Sequence, residues 1–330
     1  MKDYVYTSVF KKEFADFLKL RKAQGLDDKN SYVLQSLDRY LSEHSVTSKE
    51  LSPIVIDGWL SENSQNRSDN TLGHYVSYAT VFGKHLITLG FDAFIPEYRG
   101  YTKTYVPYIF STDEVETIFR IADNRQTKND KLTRIQFPML LRILYGCGLR
   151  LGEALKLRLA DIDFKNGVII IWHGKNNRDR LVPMEETLIN ILRVYCDFAL
   201  AGKPMNAYLF ESDYKDGKRN CIGNPRYPSW AQNNFQRILK EMGIEVTKHS
   251  PNERGACLHC IRHTFSVNSL RKQDLAGIDS YSAAPLLSIY LGHTKLAVTQ
   301  RYLHMTAENS EDILSVTAGY TKGLFPEVPQ

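Results

Sequence analysis

"LGHTKLAVTQRYLH", residues 291–304, sets a Gly-His pair nine residues ahead of Tyr302 and places Lys295, Thr299, Gln300 and Arg301 between them. Two readings compete. In the first, Tyr302 packs a helix against the core. In the second, Tyr302 is a nucleophile that works beside His293. The rest of the chain has to decide.

Three more clusters carry candidate chemistry. In "GLRLGEALKLRLADID", residues 148–163, Arg150 and Glu153 stand three apart and share a helical face. Taken alone this is a surface ion pair. Arg150 also follows a Gly-x-Gly turn at a predicted helix start, where backbone N–H groups favour an anion. In "HGKNNRDRLVPM", residues 173–184, Lys175, Arg178 and Arg180 fall at the tip of a predicted hairpin. Such tips are polar in any protein, and a basic one can also reach a phosphate.

In "CLHCIRHTF", residues 257–265, the Cys257-x-x-Cys260 pair could open a zinc site, but no second ligand pair follows. His259 and His263 have the spacing of a helical zinc hydrolase. The residue after the first His should then be a glutamate base, and it is Cys260. A third reading takes His259 with Arg262 as an oxyanion or phosphate clamp and leaves His263 as a structural histidine facing elsewhere.

The bulk properties set bounds. A chain of 330 residues is long for one core and predicts two domains. Five cysteines do not make a disulfide framework, and no stretch is long and apolar enough to span a membrane. The start, "MKDYVYTSVFKKEF", has no signal-peptide core, so a cytoplasmic location is expected. Net charge is +5. The first hundred residues hold 12 basic and 13 acidic side chains, so the positive excess lies in the remainder. The balance permits a nucleic-acid partner without requiring one.

Along the chain, residues 1–93 show four helical periods and predict an all-helical bundle. One of them opens with a Thr47–Glu50 capping-box spacing, although Pro53 shifts the start later. Residues 94–110, "FIPEYRGYTKTYVPYIF", lose the period and read as an extended linker. Ser111 and Glu114 form a second capping-box spacing. The span 111–311 is mostly helical, with a small β-hairpin formed by "GVIIIWHG" and "RLVPM". Residues 312–330 read as a loose tail. The expected fold class is therefore mostly α with a small β-sheet: a helical bundle followed by a mixed α+β domain.

Each cluster alone is compatible with ordinary structure. Together, and in this order, Arg150, Lys175, His259-x-x-Arg262, His293 and Tyr302 resemble the tyrosine recombinase family, the phage-integrase type of site-specific recombinase. The four motifs run from about residue 145 to 304. Residues 1–93 are similar in place to that family's core-binding domain but carry no specific motif. Two features depart from the pattern: Cys260 and Ile261 within the third motif, and a slightly long segment at 266–290.

The resemblance implies that Tyr302 attacks a DNA phosphodiester and forms a 3′-phosphotyrosyl bond. A phenol with a pKa near 10 needs its oxyanion favoured, and neighbouring cations do that. Arg150, Arg262 and His259 would hold the phosphate, Lys175 would protonate the leaving oxygen, and His293 would support phosphate and tyrosine. Glu153 would orient Arg150. Arg178 and Arg180 are candidate DNA contacts.

The resemblance also implies no metal, no ATP and no other cofactor. The expected partners are double-stranded DNA with a specific site, a homo-tetramer on that DNA, and accessory proteins, with no membrane. Alternatives are type IB topoisomerase-like relaxation of DNA and a catalytically inactive DNA-binding protein.

Overall fold

The computed structural model describes residues 4–26, 30–97, 107–125, 132–174, 178–213, 215–216, 219–220, 222–244 and 255–308. Lys175, the middle of the predicted linker and the predicted tail at 312–330 lie outside them. The described chain divides into two compact units, one up to residue 97 and one from 107 onward.

The first unit holds α1 (Lys11–Ala23), α2 (Ser31–Glu43), α3 (Pro53–Ser64) and α4 (Asp69–Thr88). The start of α3 lies later than Thr47, as Pro53 implies: Ser52 caps the helix by accepting from the Val55 amide, and Pro53 occupies its first turn. Phe10, Phe14, Leu34, Leu37, Trp59 and Phe82 are fully buried, and Phe14 stacks on Phe82 with ring centroids 4.6 Å apart. The buried Asp38 carboxylate accepts hydrogen bonds from the Thr7 and Ser8 amides and the Tyr4 hydroxyl. The segment ahead of α1 is thus tied to α2 by a satisfied buried charge.

The second unit begins with α5 (Thr112–Asn124), whose Ser111–Glu114 capping box forms as the spacing predicts. Then come α6 (Thr133–Cys147) and α7 (Leu151–Ala154). Strands β1 (Ile162–Asp163), β2 (Val168–Ile171) and β3 (Arg180–Pro183) make an antiparallel sheet in the order β1-β2-β3. Ile169 pairs with Val182 and Ile171 with Arg180. Then follow α8 (Glu186–Ala199), the short strands β4 (Lys215–Asp216) and β5 (Arg219–Asn220), and α9 (Pro228–Glu241). Last are α10 (Leu258–Leu275), α11 (Ser280–Leu291) and α12 (Ala297–Glu308). No described helix is long and apolar enough to cross a membrane.

Two departures from sequence expectation matter. The helix expected after the Gly-x-Gly turn is a single turn, α7. Beyond it the backbone turns outward to bond elsewhere, with the Leu209 amide donating to the Leu157 carbonyl and the Leu159 amide to that of Ala207. Tertiary pairing overrides helix propensity there. The helix α8 has no counterpart among the elements expected from the sequence, although Leu188, Leu192, Tyr195 and Cys196 all bury one face of it.

What positions the site is the packing of α12 against α10 and α11. Tyr302 and Leu303 sit in an apolar cluster with Val267, Leu270, Ala284 and Leu291. Burying side chains of this size contributes roughly 1.5–3 kcal/mol each. The packing reading of Tyr302 is therefore correct as far as its ring goes. Its hydroxyl is a separate matter.

Candidate active site

Two left-handed glycines build the floor of the site. Gly148 (φ +56°) ends α6, and a Cβ there would sit 2.4 Å from the Phe265 ring. Gly292 (φ +65°) ends α11, and a Cβ there would sit 3.1 Å from Arg180 Nη1. Only glycine suits either place. The chain reverses at both, which turns the carbonyls of Gly148, Leu291 and Gly292 toward arginines.

Arg262, on α10 and 3% exposed, spans these turns. Its Nη1 donates to the Gly148 carbonyl, and its Nη2 donates to the Leu291 carbonyl at 2.7 Å. Nη2 also lies 3.0 Å from His293 Nε2. A guanidinium can only donate, so that ring nitrogen accepts. His293 then carries its proton on Nδ1 and donates it to Thr299 Oγ1 at 2.8 Å. Thr299 is fully buried, one turn ahead of Tyr302 on α12. Burial, followed by the Arg150 charge, pushes Arg262 down to about 10, which leaves it cationic at neutral pH.

Arg150 caps α7 and reaches across the site. Its Nη2 donates to the Gly292 carbonyl at 2.9 Å and its Nη1 to Glu153 Oε1 at 2.8 Å. Glu153 also takes both terminal nitrogens of Arg180, at 3.1 and 2.8 Å. Burial alone would raise the Glu153 carboxyl, but Arg180 and Arg150 outweigh it and hold the group down to about 2.

Arg180 was expected to be a DNA contact, and the structure corrects that. Its side chain is 9% exposed and its guanidinium is turned inward to Glu153 and to the Tyr290 carbonyl. It stands at the base of the hairpin, where β3 meets α11, and not at the tip. Arg178 is exposed, consistent with a tip position.

The Tyr302 hydroxyl lies 2.9 Å from His263 Nδ1. His263 thus faces the tyrosine, and the expectation that it faces elsewhere is corrected. The helical period explains the change: His263 follows Arg262 by one residue, so the two flank the α12 contact from adjacent sides of α10. Burial, then the charges of His259 and Arg262, lower His263 to about 3, so its ring is neutral. Burial raises the Tyr302 phenol above its ordinary value, while Arg262, Ser266, Arg301 and Arg150 pull against that.

The His259 ring meets His263 edge-on at 4.7 Å and is exposed. With Arg262, Leu149 and Cys257 it lines a cleft of about 470 Å³. Cys257 and Cys260 have their sulfurs 3.5 Å apart. Among the described residues, no group of three or more His, Cys, Asp or Glu side chains could hold a metal ion.

The structure therefore brings Arg150, Glu153, Arg262, His293 and Tyr302 into one connected cluster, with His259 at its edge. It adds His263, Thr299 and Arg180, to which the sequence reading gave other roles or none. Thr299 could have been found from its spacing, since it precedes Tyr302 by three residues on the same helical face. The net charge decides what such a cluster can do. Three guanidiniums (Arg150, Arg180 and Arg262) share one carboxylate (Glu153), which leaves an anion to be supplied from outside.

The phage integrase family model matches residues 109–309. The chain belongs to the phage integrase family. The integrase/recombinase y4rB of Sinorhizobium fredii is 32% identical over 202 residues, a match covering 60% of this chain and 61% of that protein. This chain thus spans about three fifths of that relative's length. The tyrosine recombinase XerC of Listeria monocytogenes is 26% identical over 313 residues, covering 90% of this chain and 93% of that one. Among solved structures, the Tn1549 transposon integrase in complex with a circular intermediate DNA shares the fold, with a TM-score of 0.64 at 18% identity. That likeness covers 89% of this chain and 94% of the other.

Proposed function

We propose that this protein is a site-specific DNA recombinase that cuts and rejoins strands through a 3′-phosphotyrosyl intermediate, and that it serves the integration or excision of a mobile element. The observation that carries this reading is the uncompensated cationic cluster beside a buried tyrosine hydroxyl. A phosphodiester is anionic, and its transition state gathers charge on the non-bridging oxygens. Preorganised guanidiniums stabilise that charge without reorganising.

In the proposed reaction the Tyr302 oxygen bonds to phosphorus and the bond to the 5′-oxygen breaks. Arg150, Arg262 and His259 bind the non-bridging oxygens, and His293 holds Arg262 in register. Lys175 delivers a proton to the departing 5′-oxygen. The Tyr302 proton leaves through His263, whose Nδ1 lies 2.9 Å from the hydroxyl. Tyr302 is 3% exposed, so duplex binding must bring hydroxyl and phosphate together. The phosphotyrosyl bond keeps the free energy of the broken phosphodiester, so a second 5′-hydroxyl can reseal it without ATP. The guanidiniums supply the charge that a metal would otherwise supply.

Residues 1–93 would bind the duplex as a separate helical domain, linked by 94–110 to the catalytic domain at 111–311. Strand exchange between two sites requires four subunits, so a homo-tetramer on DNA follows, with residues 312–330 as the candidate contact between neighbours. Exchange is favoured over topoisomerase-like relaxation by the family membership of the chain.

The test is to express the protein and its Tyr302→Phe variant with the DNA flanking its gene. Covalent complexes are then recovered under denaturing conditions and the attached DNA is sequenced. An adduct that needs Tyr302 and maps to a discrete site is expected. Adducts scattered over the DNA would replace the reading with a topoisomerase, and adducts that persist in Tyr302→Phe would remove Tyr302 as nucleophile.

A further inference from the structure

We infer that Arg180 is a positioning residue of the active site: through Glu153 it sets the geometry and the available charge of Arg150, and it ties the β2–β3 hairpin to the turn that carries His293. This inference rests on the proposed function above.

Four contacts place Arg180 at the junction of the sequence motifs. Its Nη1 and Nη2 fork the two oxygens of Glu153 at 3.1 and 2.8 Å. Its Nε donates to the Tyr290 carbonyl at 3.0 Å, at the end of α11. Its guanidinium packs under Gly292, where a Cβ would approach within 3.1 Å, and beside Gly174, where a Cβ would approach within 3.3 Å. One side chain thus touches the first motif through Glu153, the hairpin through Gly174 and the last motif through Gly292.

Both Glu153 oxygens are shared between the two arginines. Oε1 accepts from Arg150 Nη1 and Arg180 Nη1, while Oε2 accepts from the Arg150 backbone amide and Arg180 Nη2. This sharing has an electrostatic consequence. With Arg180 present, one carboxylate is divided between two cations, and Arg150 keeps charge to offer a phosphate. Without Arg180, Glu153 and Arg150 become a closed neutral pair. Lysine cannot replace the fork, because a single ammonium cannot bind both carboxylate oxygens and the Tyr290 carbonyl in one plane.

The experiment uses full-length protein and a duplex carrying the site recovered with Tyr302. Covalent cleavage and equilibrium binding are measured for wild type, Arg180→Lys, Arg180→Gln and the double variant Arg180→Met with Glu153→Gln. A second duplex carries a neutral methylphosphonate at the scissile position. Loss of a preorganised transition-state contact predicts a cleavage defect of about 100-fold for Arg180→Gln, with binding within about 3-fold of wild type. On the methylphosphonate duplex that defect should shrink to less than about 10-fold, because there is no anionic non-bridging oxygen for Arg150 to neutralise.

The double variant guards against misfolding. It keeps the wild-type net charge of the cluster and removes the carboxylate that would otherwise close on Arg150, so its cleavage should recover to within about 10-fold of wild type, which a misfolded protein would not show. Cleavage within about 3-fold of wild type by Arg180→Lys would overturn the inference, and so would a double variant as defective as Arg180→Gln. So would an equal defect on both duplexes, since a general loss of structure weakens both alike. Failure of the wild type itself to form an adduct would overturn the proposed function, and the inference with it.

Discussion

The Tyr302 hydroxyl and His263 Nδ1 stand 2.9 Å apart, and the histidine is neutral because burial and neighbouring cations lower it to about 3. An unfolded histidine binds its proton near 6.5. Between those values the unfolded chain holds the extra proton, so stability is complete above 6.5 and falls as pH drops toward 3. The slope from this one group reaches about 1.4 kcal/mol per pH unit. His263→Asn removes it. Urea unfolding at a series of pH values should show the wild type losing stability faster than the variant below 6.5. Parallel curves would mean that His263 is protonated in the folded protein.

Glu153 acts in a lower window. Its carboxyl is held down to about 2 against an ordinary 4.5, because Arg180 and Arg150 outweigh the effect of burial. Its contribution is complete above 4.5 and is lost as pH falls from there toward 2. Glu153→Gln should cost about 3 kcal/mol at neutral pH, the scale for breaking a buried ion pair from one side. The variant should also lack the wild-type decline in stability below pH 4.5. A cost under about 1 kcal/mol would place the pair in the class of exposed ion pairs.

The sequence carried much of this site because its residues lie in compact motifs. The nine-residue interval from His293 to Tyr302 spans a turn and roughly the first one and a half turns of α12, and the three-residue step from His259 to Arg262 follows the period of α10. Local rules also predicted the Ser111 capping box and the β2–β3 hairpin. Arg180 was illegible for a different reason. A basic residue near a hairpin tip reads as exposed, and its true partner, Glu153, lies 27 positions earlier on another element. Only the register of β3 against α11 turns it inward. His263 is hard to place from sequence on similar grounds, since one residue's shift on α10 decides whether a ring meets Tyr302. The one-turn α7 escaped because its chain is diverted by backbone bonds to residues 207 and 209.

Gly148 offers a test of the floor. Replacement by alanine combines a left-handed backbone with a Cβ only 2.4 Å from the Phe265 ring. The expected loss is about 3 kcal/mol, the sum of backbone strain and overpacking. Gly202→Ala is the control, because φ is +71° there and nothing lies within 4 Å of the added atom. Strain alone should cost it about 1 kcal/mol. Thermal or urea unfolding of both variants separates the two terms, and equal losses would mean that Phe265 moves aside freely.

Arg178 and Arg180 are two residues apart and should behave oppositely on DNA. Arg178 is exposed, and its side chain is free of the Glu153 pairing that holds Arg180 inward. A phosphate contact contributes affinity by releasing counterions, so removing one lowers the salt dependence of binding as well as its strength. Arg178→Gln should therefore weaken binding similarly on specific and random duplexes. It should also reduce the slope of log K against log salt by about 1. Arg180→Gln should leave that slope unchanged, since its guanidinium already holds a carboxylate. Titrations at four or five salt concentrations decide the matter. A slope change in Arg180→Gln and none in Arg178→Gln would reverse the assignment and return Arg180 to the DNA surface.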